Sequence, residues 1–331
     1  MRDDKASSSR IGFCRPADET RARRHAGTCS SVTRMRRDHW RRYNDSLDPA
    51  TDFVEIYAKV VAHEFPWDMN QALGFALFRT YAVPGIGRLL DRTGEFTERT
   101  QKRYDDTALL LEPPNRLGFD DPGARTAIRR INQMHRAYDI PGHEFRYVLS
   151  TFVVVPKRWL DEFGKRPLTS NELEASVHYY RTLGRHMNIK DVPETYAGFE
   201  ELMDSYEAAH FGYDEGGRRV ADATLALMVG FQPRAVRPAM GVFSRSLMDP
   251  ALRAAFRYAD PPPVVEAVSR GLLRARGRLL RLFPARRDPK LIEDLPQIRS
   301  YPDGYRLEEL GSFPVPGRNG CPVRHDEAAT G

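Results

Sequence analysis

Apolar residues recur along this chain at the three-to-four-residue spacing of helices, and no stretch alternates long enough to make a strand. Phe53, Ile56, Tyr57 and Val60 predict a helix over 52–63. Leu73, Ala76, Leu77 and Thr80 share one side of a second over 69–81, which Val83-Pro84-Gly85 should stop. A third over 98–111 is expected to end at Pro113-Pro114, because proline lacks the N–H a helix needs. Asp121 as cap and Pro122 at the first position open a fourth, running to about Tyr138 before Pro141-Gly142 ends it. Its apolar stripe is Ile128, Ile131, His135 and Tyr138. Residues 145–163 contain the strand-like run Val153-Val154-Val155, but their length decides for a helix, with a kink expected at Pro156. Thr169 and Glu172 have the spacing of a capping box, so a helix to about Met187 should begin there. Helices over 195–211, 218–231 and 263–283 complete the pattern. The class is all-α, in one large bundle-like domain.

Charge divides the chain. Of its 331 residues, 1–43 carry 12 Lys/Arg against 5 Asp/Glu, whereas the remainder carries 39 against 40. The net charge of +6 is therefore a property of the N-terminus. We expect residues 1–43 to be a disordered basic extension, 44–300 the helical domain and 301–331 an irregular Pro-rich tail, with Met35 a candidate start of the mature protein. No basic stripe interleaved with aromatics runs over 44–250, which argues against nucleic acid as a partner. Cys14, Cys29 and Cys321 all lie outside the predicted helices. They have no zinc spacing and no Cys-x-x-Cys-His for covalent haem attachment. A cysteine-free core fits a reducing compartment. With no run of ~20 apolar residues and no secretory leader, a cytoplasmic location is expected.

His135 is the polar member of a buried stripe. Two readings stand: a core histidine hydrogen-bonded to a neighbour, or a neutral imidazole serving as a metal or haem ligand. Glu207-Ala-Ala-His210 has the Glu-x-x-His spacing of di-iron bundles, but a second such motif is absent, so the two read as a surface pair on a helix. His178 and His186 are too far apart on one helix to share a metal, and His25, His39 and His63 have no partners at ligand spacing. Val265, Val268, Leu272, Leu279 and Phe283 stripe the basic helix over 263–283, making it a candidate for peripheral contact with an anionic membrane. The other reading packs that helix on the core with its arginines in solvent.

The segment Arg130-Ile-Asn-Gln-Met-His135-Arg-Ala-Tyr138, followed by Tyr147-Val-Leu-Ser-Thr-Phe-Val-Val-Val-Pro156-Lys-Arg-Trp159, resembles the haem-ligand region of the MpaB/latex-clearing-protein (rubber oxygenase) family. Further matches are Glu64–Met69, Phe78–Pro84, Lys102–Thr107, Arg166–Thr169 and Tyr180–Met187, so the likeness spans roughly 48–235. It implies a globin-like helical core enclosing non-covalent haem b, with His135 as the axial iron ligand and Arg130 beside the cofactor. It also implies dioxygen and an apolar substrate, a small molecule or polymer that is unsaturated or isoprenoid, cleaved at a C=C bond. The family's distal Arg-x-x-Lys-Thr falls on Arg103, Asp106 and Thr107, with Asp106 in place of the lysine. Arg103 and Thr107 share a helix face, where a guanidinium would stabilise developing negative charge. Asp106 or Asp105 would serve as a base only if burial raised its pKa. The competing reading is an ordinary solvated face. A non-catalytic haem- or lipid-binding helical protein is the alternative function.

Overall fold

A computed structural model describes residues 35–312. Cys14, Cys29, Cys321 and His25, most of the basic extension and the end of the C-terminal tail lie outside the described residues. Among those described there are thirteen α-helices and no strand: α1 His39–Asp45, α2 Phe53–Lys59, α3 Pro66–Tyr81, α4 Pro84–Arg92, α5 Thr100–Leu117, α6 Pro122–His135, α7 Gly142–Phe163, α8 Ser170–His186, α9 Tyr196–His210, α10 Glu215–Gly230, α11 Arg237–Leu247, α12 Pro250–Ala255 and α13 Pro263–Leu280. None is long and apolar enough to cross a membrane.

Local chemistry places most helix starts. Asp121 accepts from the backbone N–H of Gly123 at 2.7 Å and of Ala124 at 3.2 Å, with Pro122 following it. Thr169 and Glu172 form the reciprocal capping box. Two expectations are corrected. Helix α5 runs through Pro113 and Pro114 to Leu117. Both prolines are buried, as are Leu109 and Leu110 one turn earlier, and this packing offsets the two lost hydrogen bonds. The first predicted helix also changes character: after Lys59 it widens into a π-turn over Val60–Glu64.

The long helix α7 is the spine. It lies against α3, α8, α9 and α13 and buries Tyr147, Val153, Val154 and Leu160 in the main core. A second apolar cluster joins α3, α10 and α12, and a third joins α5, α6 and the C-terminal segment. Close approach of α4 to α10 requires glycine on both sides. A Cβ on Gly87 would lie 2.7 Å from both the Gly217 Cα and the Tyr81 carbonyl oxygen. Residues 301–312 hold only the 3-10 turn Leu307–Glu309, yet Leu310 is fully buried against α5 and α6.

Candidate active site

His135 is the last residue of α6. The residue is half-buried; its Nδ1 is fully buried and has no hydrogen-bond partner among the described residues, and Phe145 closes one edge at 5.2 Å between ring centroids. Burial, together with the positive charge of Arg103, lowers its pKa to about 4. A helix C-terminus favours the imidazolium by only ~0.3–1 kcal/mol, so burial and Arg103 win and the imidazole is neutral near pH 7.

Arg103 lies on α5 and carries a parallel anomaly. Among the described residues its guanidinium makes no ion pair; it donates from Nη1 to the Thr107 hydroxyl and lies over the Phe96 ring at 5.0 Å. The Thr107 hydroxyl in turn donates to the Arg103 carbonyl at 2.8 Å. Burial lowers the arginine's pKa, which Tyr81 and then Asp106 and Glu95 partly oppose. Tyr81 ends α3 next to Phe96, 5.4 Å away between centroids. Its hydroxyl is buried without a hydrogen-bond partner, near the Thr224 hydroxyl, and burial pushes its pKa up. Burial likewise raises the Tyr138 phenol, which feels both Glu95 and Arg103. Thus the ends of α3 and α6 and the first turns of α5 gather an unpartnered imidazole, an uncompensated guanidinium and an unpartnered phenol.

The predicted site residues therefore divide. His135, Arg103 and Thr107 fall within this group. Asp106 has both carboxylate oxygens taken: Lys102 donates to one at 2.7 Å and the Tyr301 hydroxyl to the other. Lys102 also donates to the Gly311 carbonyl at 3.0 Å, and Arg99 pairs with Glu95. Asp105, across the helix, accepts from Gln101 and from the backbone N–H groups of Arg299 and Ser300. Arg130 donates to the Leu310 carbonyl at 2.6 Å and to Gln133 at 2.8 Å. These charges bind the C-terminal segment to the backs of α5 and α6.

Tyr81, Glu95 and Phe145 were not singled out in the sequence. Tyr81 stands within the matching Phe78–Pro84 segment, but a tyrosine at the end of an apolar stripe carries no chemical signal. Glu207 corrects another expectation. It is buried, not a surface residue, and both its oxygens accept from Arg79, which also binds Asp249. Only His210 of that pair is exposed. His186 stacks on Phe119 and His178 lies near Glu174. Among the described residues no group of three or more His, Cys, Asp or Glu is arranged to hold a metal ion.

A family model described as "ER-bound oxygenase mpaB/B'/Rubber oxygenase, catalytic domain" matches residues 67–282. The chain belongs to this family. The ER-bound oxygenase mpaB' of Penicillium brevicompactum is 30% identical over 278 residues, covering 78% of this chain and 66% of that protein. The ER-bound oxygenases mpaB of Penicillium roqueforti and Penicillium brevicompactum are each 30% identical over 65% of this chain, and 79% and 59% of their own lengths. The chain thus spans roughly three-fifths to four-fifths of the relatives' lengths. The shared catalytic domain contains every member of the polar group around His135. It leaves out His63, whose buried Nδ1 also lacks a partner among the described residues; that ring packs on Trp40 at 4.2 Å.

Haem, the cofactor that the sequence resemblance implies, fits these residues. A neutral imidazole with an unpartnered buried nitrogen has a lone pair to give. An uncompensated guanidinium suits an anionic group beside it. Aromatic side chains of α7 and of the 95–98 turn supply apolar walls.

Proposed function

We propose that this MpaB/rubber-oxygenase family member is a haem b-dependent oxygenase of an apolar, unsaturated substrate, with His135 holding the iron. The observation that carries the reading is the buried, unpartnered Nδ1 of a histidine kept neutral by burial and by Arg103. Unsatisfied buried polar atoms are scarce in native proteins and mark sites completed by something else.

Bound haem would supply the one-electron chemistry with dioxygen that no side chain here provides. The chain's own residues do the rest. His135 offers its lone pair without first losing a proton. Arg103, held by Thr107, sets a fixed positive charge where negative charge develops as oxygen is transferred. Tyr81 keeps its proton and offers its hydroxyl as a donor to a bound oxygen or substrate atom. The family description names a rubber oxygenase, and an apolar alkene or isoprenoid cleaved at its double bond is the substrate class proposed here.

The test is the absorption spectrum of the full chain produced with haem, beside His135→Ala. A Soret band lost or displaced in the variant is the expected result. A colourless parent with intact helical circular dichroism would overturn the reading. A second reading, a haem protein without turnover, draws support from Asp106, which stands where the family motif has lysine and whose two oxygens are both committed, to Lys102 and Tyr301. Dioxygen uptake with isoprenoid alkenes separates the two.

A further inference from the structure

Large apolar side chains are not scattered over this surface. Of the ten most exposed among the described residues, six lie in one stretch of twenty: Val264, Val268, Leu272, Leu279, Leu282 and Phe283, each 54–72% exposed. Helix α13 already has a core-facing side. Ser269, Leu273 and Gly277 are buried, and a Cβ on Gly277 would lie 2.8 Å from the Gly164 carbonyl oxygen just past the end of α7, so any larger residue would collide there. At 100° per residue, Val264, Val268, Leu272 and Leu279 fall on the opposite side and point away from the protein. Packing α13 on α7 and α11 leaves this face uncovered among the described residues.

Charge identifies what covers it. Residues 274–287 contain six arginines and no acidic residue. Arg274 and Arg276 are neutralised by Glu162 and Asp68, with Arg276 lying 3.7 Å over the exposed Trp67 ring. Arg278 and Arg286 make no ion pair among the described residues, and Arg281 donates only to a backbone carbonyl. Cations near a helix C-terminus complement its dipole, which accounts for arginines but not for six exposed apolar side chains. Against a second copy of the chain, the same uncompensated arginines would meet one another across the symmetry axis. Apolar side chains rimmed by unpaired arginines and an interfacial tryptophan match the boundary of an anionic lipid layer, headgroups outside and acyl chains within.

We propose that the outer face of α13 and the following turn, with Trp67 beside it, docks on anionic membrane surfaces, inserting its leucines and Phe283 while the arginines bind headgroups. This inference does not depend on haem. The full-length chain is expected to sediment with phosphatidylserine-containing vesicles and not with pure phosphatidylcholine. The double variant Leu272→Glu/Leu279→Glu should lose at least about ten-fold in partition, and Arg278→Glu about five-fold, with circular dichroism unchanged. If the double variant unfolds, Leu282→Ser/Phe283→Ser in the turn after the helix asks the same question and should also lose partition. Vesicle binding equal to the parent's in these variants would overturn the proposal and assign the membrane contact elsewhere, such as the basic residues 1–43. A parent that ignores vesicles but is a dimer, dissociated by Leu272→Glu/Leu279→Glu, would overturn it in favour of a second copy.

Discussion

On neighbouring helices α5 and α6, burial and then the charge of the Arg103 guanidinium hold the His135 imidazole neutral, and neither side chain has a carboxylate partner among the described residues. Two cation-forming groups placed together in a buried setting destabilise a folded chain. Such an arrangement belongs to a site, because function is where a fold tolerates strain of this kind.

In the haem-free chain, stability should therefore depend on His135 in a defined pH window. Its folded pKa of about 4 lies below the ordinary 6.5. The unfolded chain binds the proton more readily, so the contribution is fully present above 6.5 and is lost as pH falls towards 4, by about 3 kcal/mol. Urea midpoints taken across that range should slope less steeply in His135→Gln. An equal slope would mean that the imidazole is not held neutral.

Replacing the uncompensated cation should separate stability from function. Arg103→Met is expected to stabilise the chain by about 1 kcal/mol and to move the His135 titration upwards. The same change should reduce oxygen transfer by about 10²-fold. Thermal denaturation, the pH window and dioxygen uptake read the three effects independently.

The C-terminal segment should be released by a change far from it in sequence. Asp105 is fully buried and accepts from the N–H groups of Arg299 and Ser300 at 3.0 and 2.9 Å. Asp105→Ala leaves both donors unpaired, and should cost about 2–4 kcal/mol and open residues 297–301 to proteolysis. Resistance equal to the parent's would show that the other ties, Tyr301 to Asp106, Lys102 to Gly311 and Arg130 to Leu310, hold the segment without Asp105.

Acid should act through the cap of α8. Burial by itself would raise the Glu172 carboxyl, but Arg166, Thr169 and Asn44 bind it and bring it below 4.5. Its contribution is present above 4.5 and is lost as pH falls through the lowered folded value. Glu172→Gln should cost about 2–3 kcal/mol at pH 7 and nearly nothing once the parent's carboxyl is protonated. Chemical denaturation at the two pH values measures the difference.

Both the class and most helix starts were legible in the chain, because each depends on a few adjacent residues. Asp121-Pro122 and Thr169 with Glu172 act within one turn, and apolar spacing acts within one helix. The ordered segments around His135 were legible as well, and they led to the family. Tertiary structure decided the rest. Whether Pro113-Pro114 ends a helix depends on what buries it, here the packing of α5 on α6 and the C-terminal segment. Whether Glu207 lies at the surface depends on Arg79, 128 residues away in the chain. Asp106 and Thr107 are adjacent in sequence, yet one binds Tyr301 and the other joins Arg103, since successive residues on a helix point 100° apart and meet different neighbours. The isolation of Arg103 and of the His135 Nδ1 is a statement about every group that surrounds them. Only the packed molecule determines that.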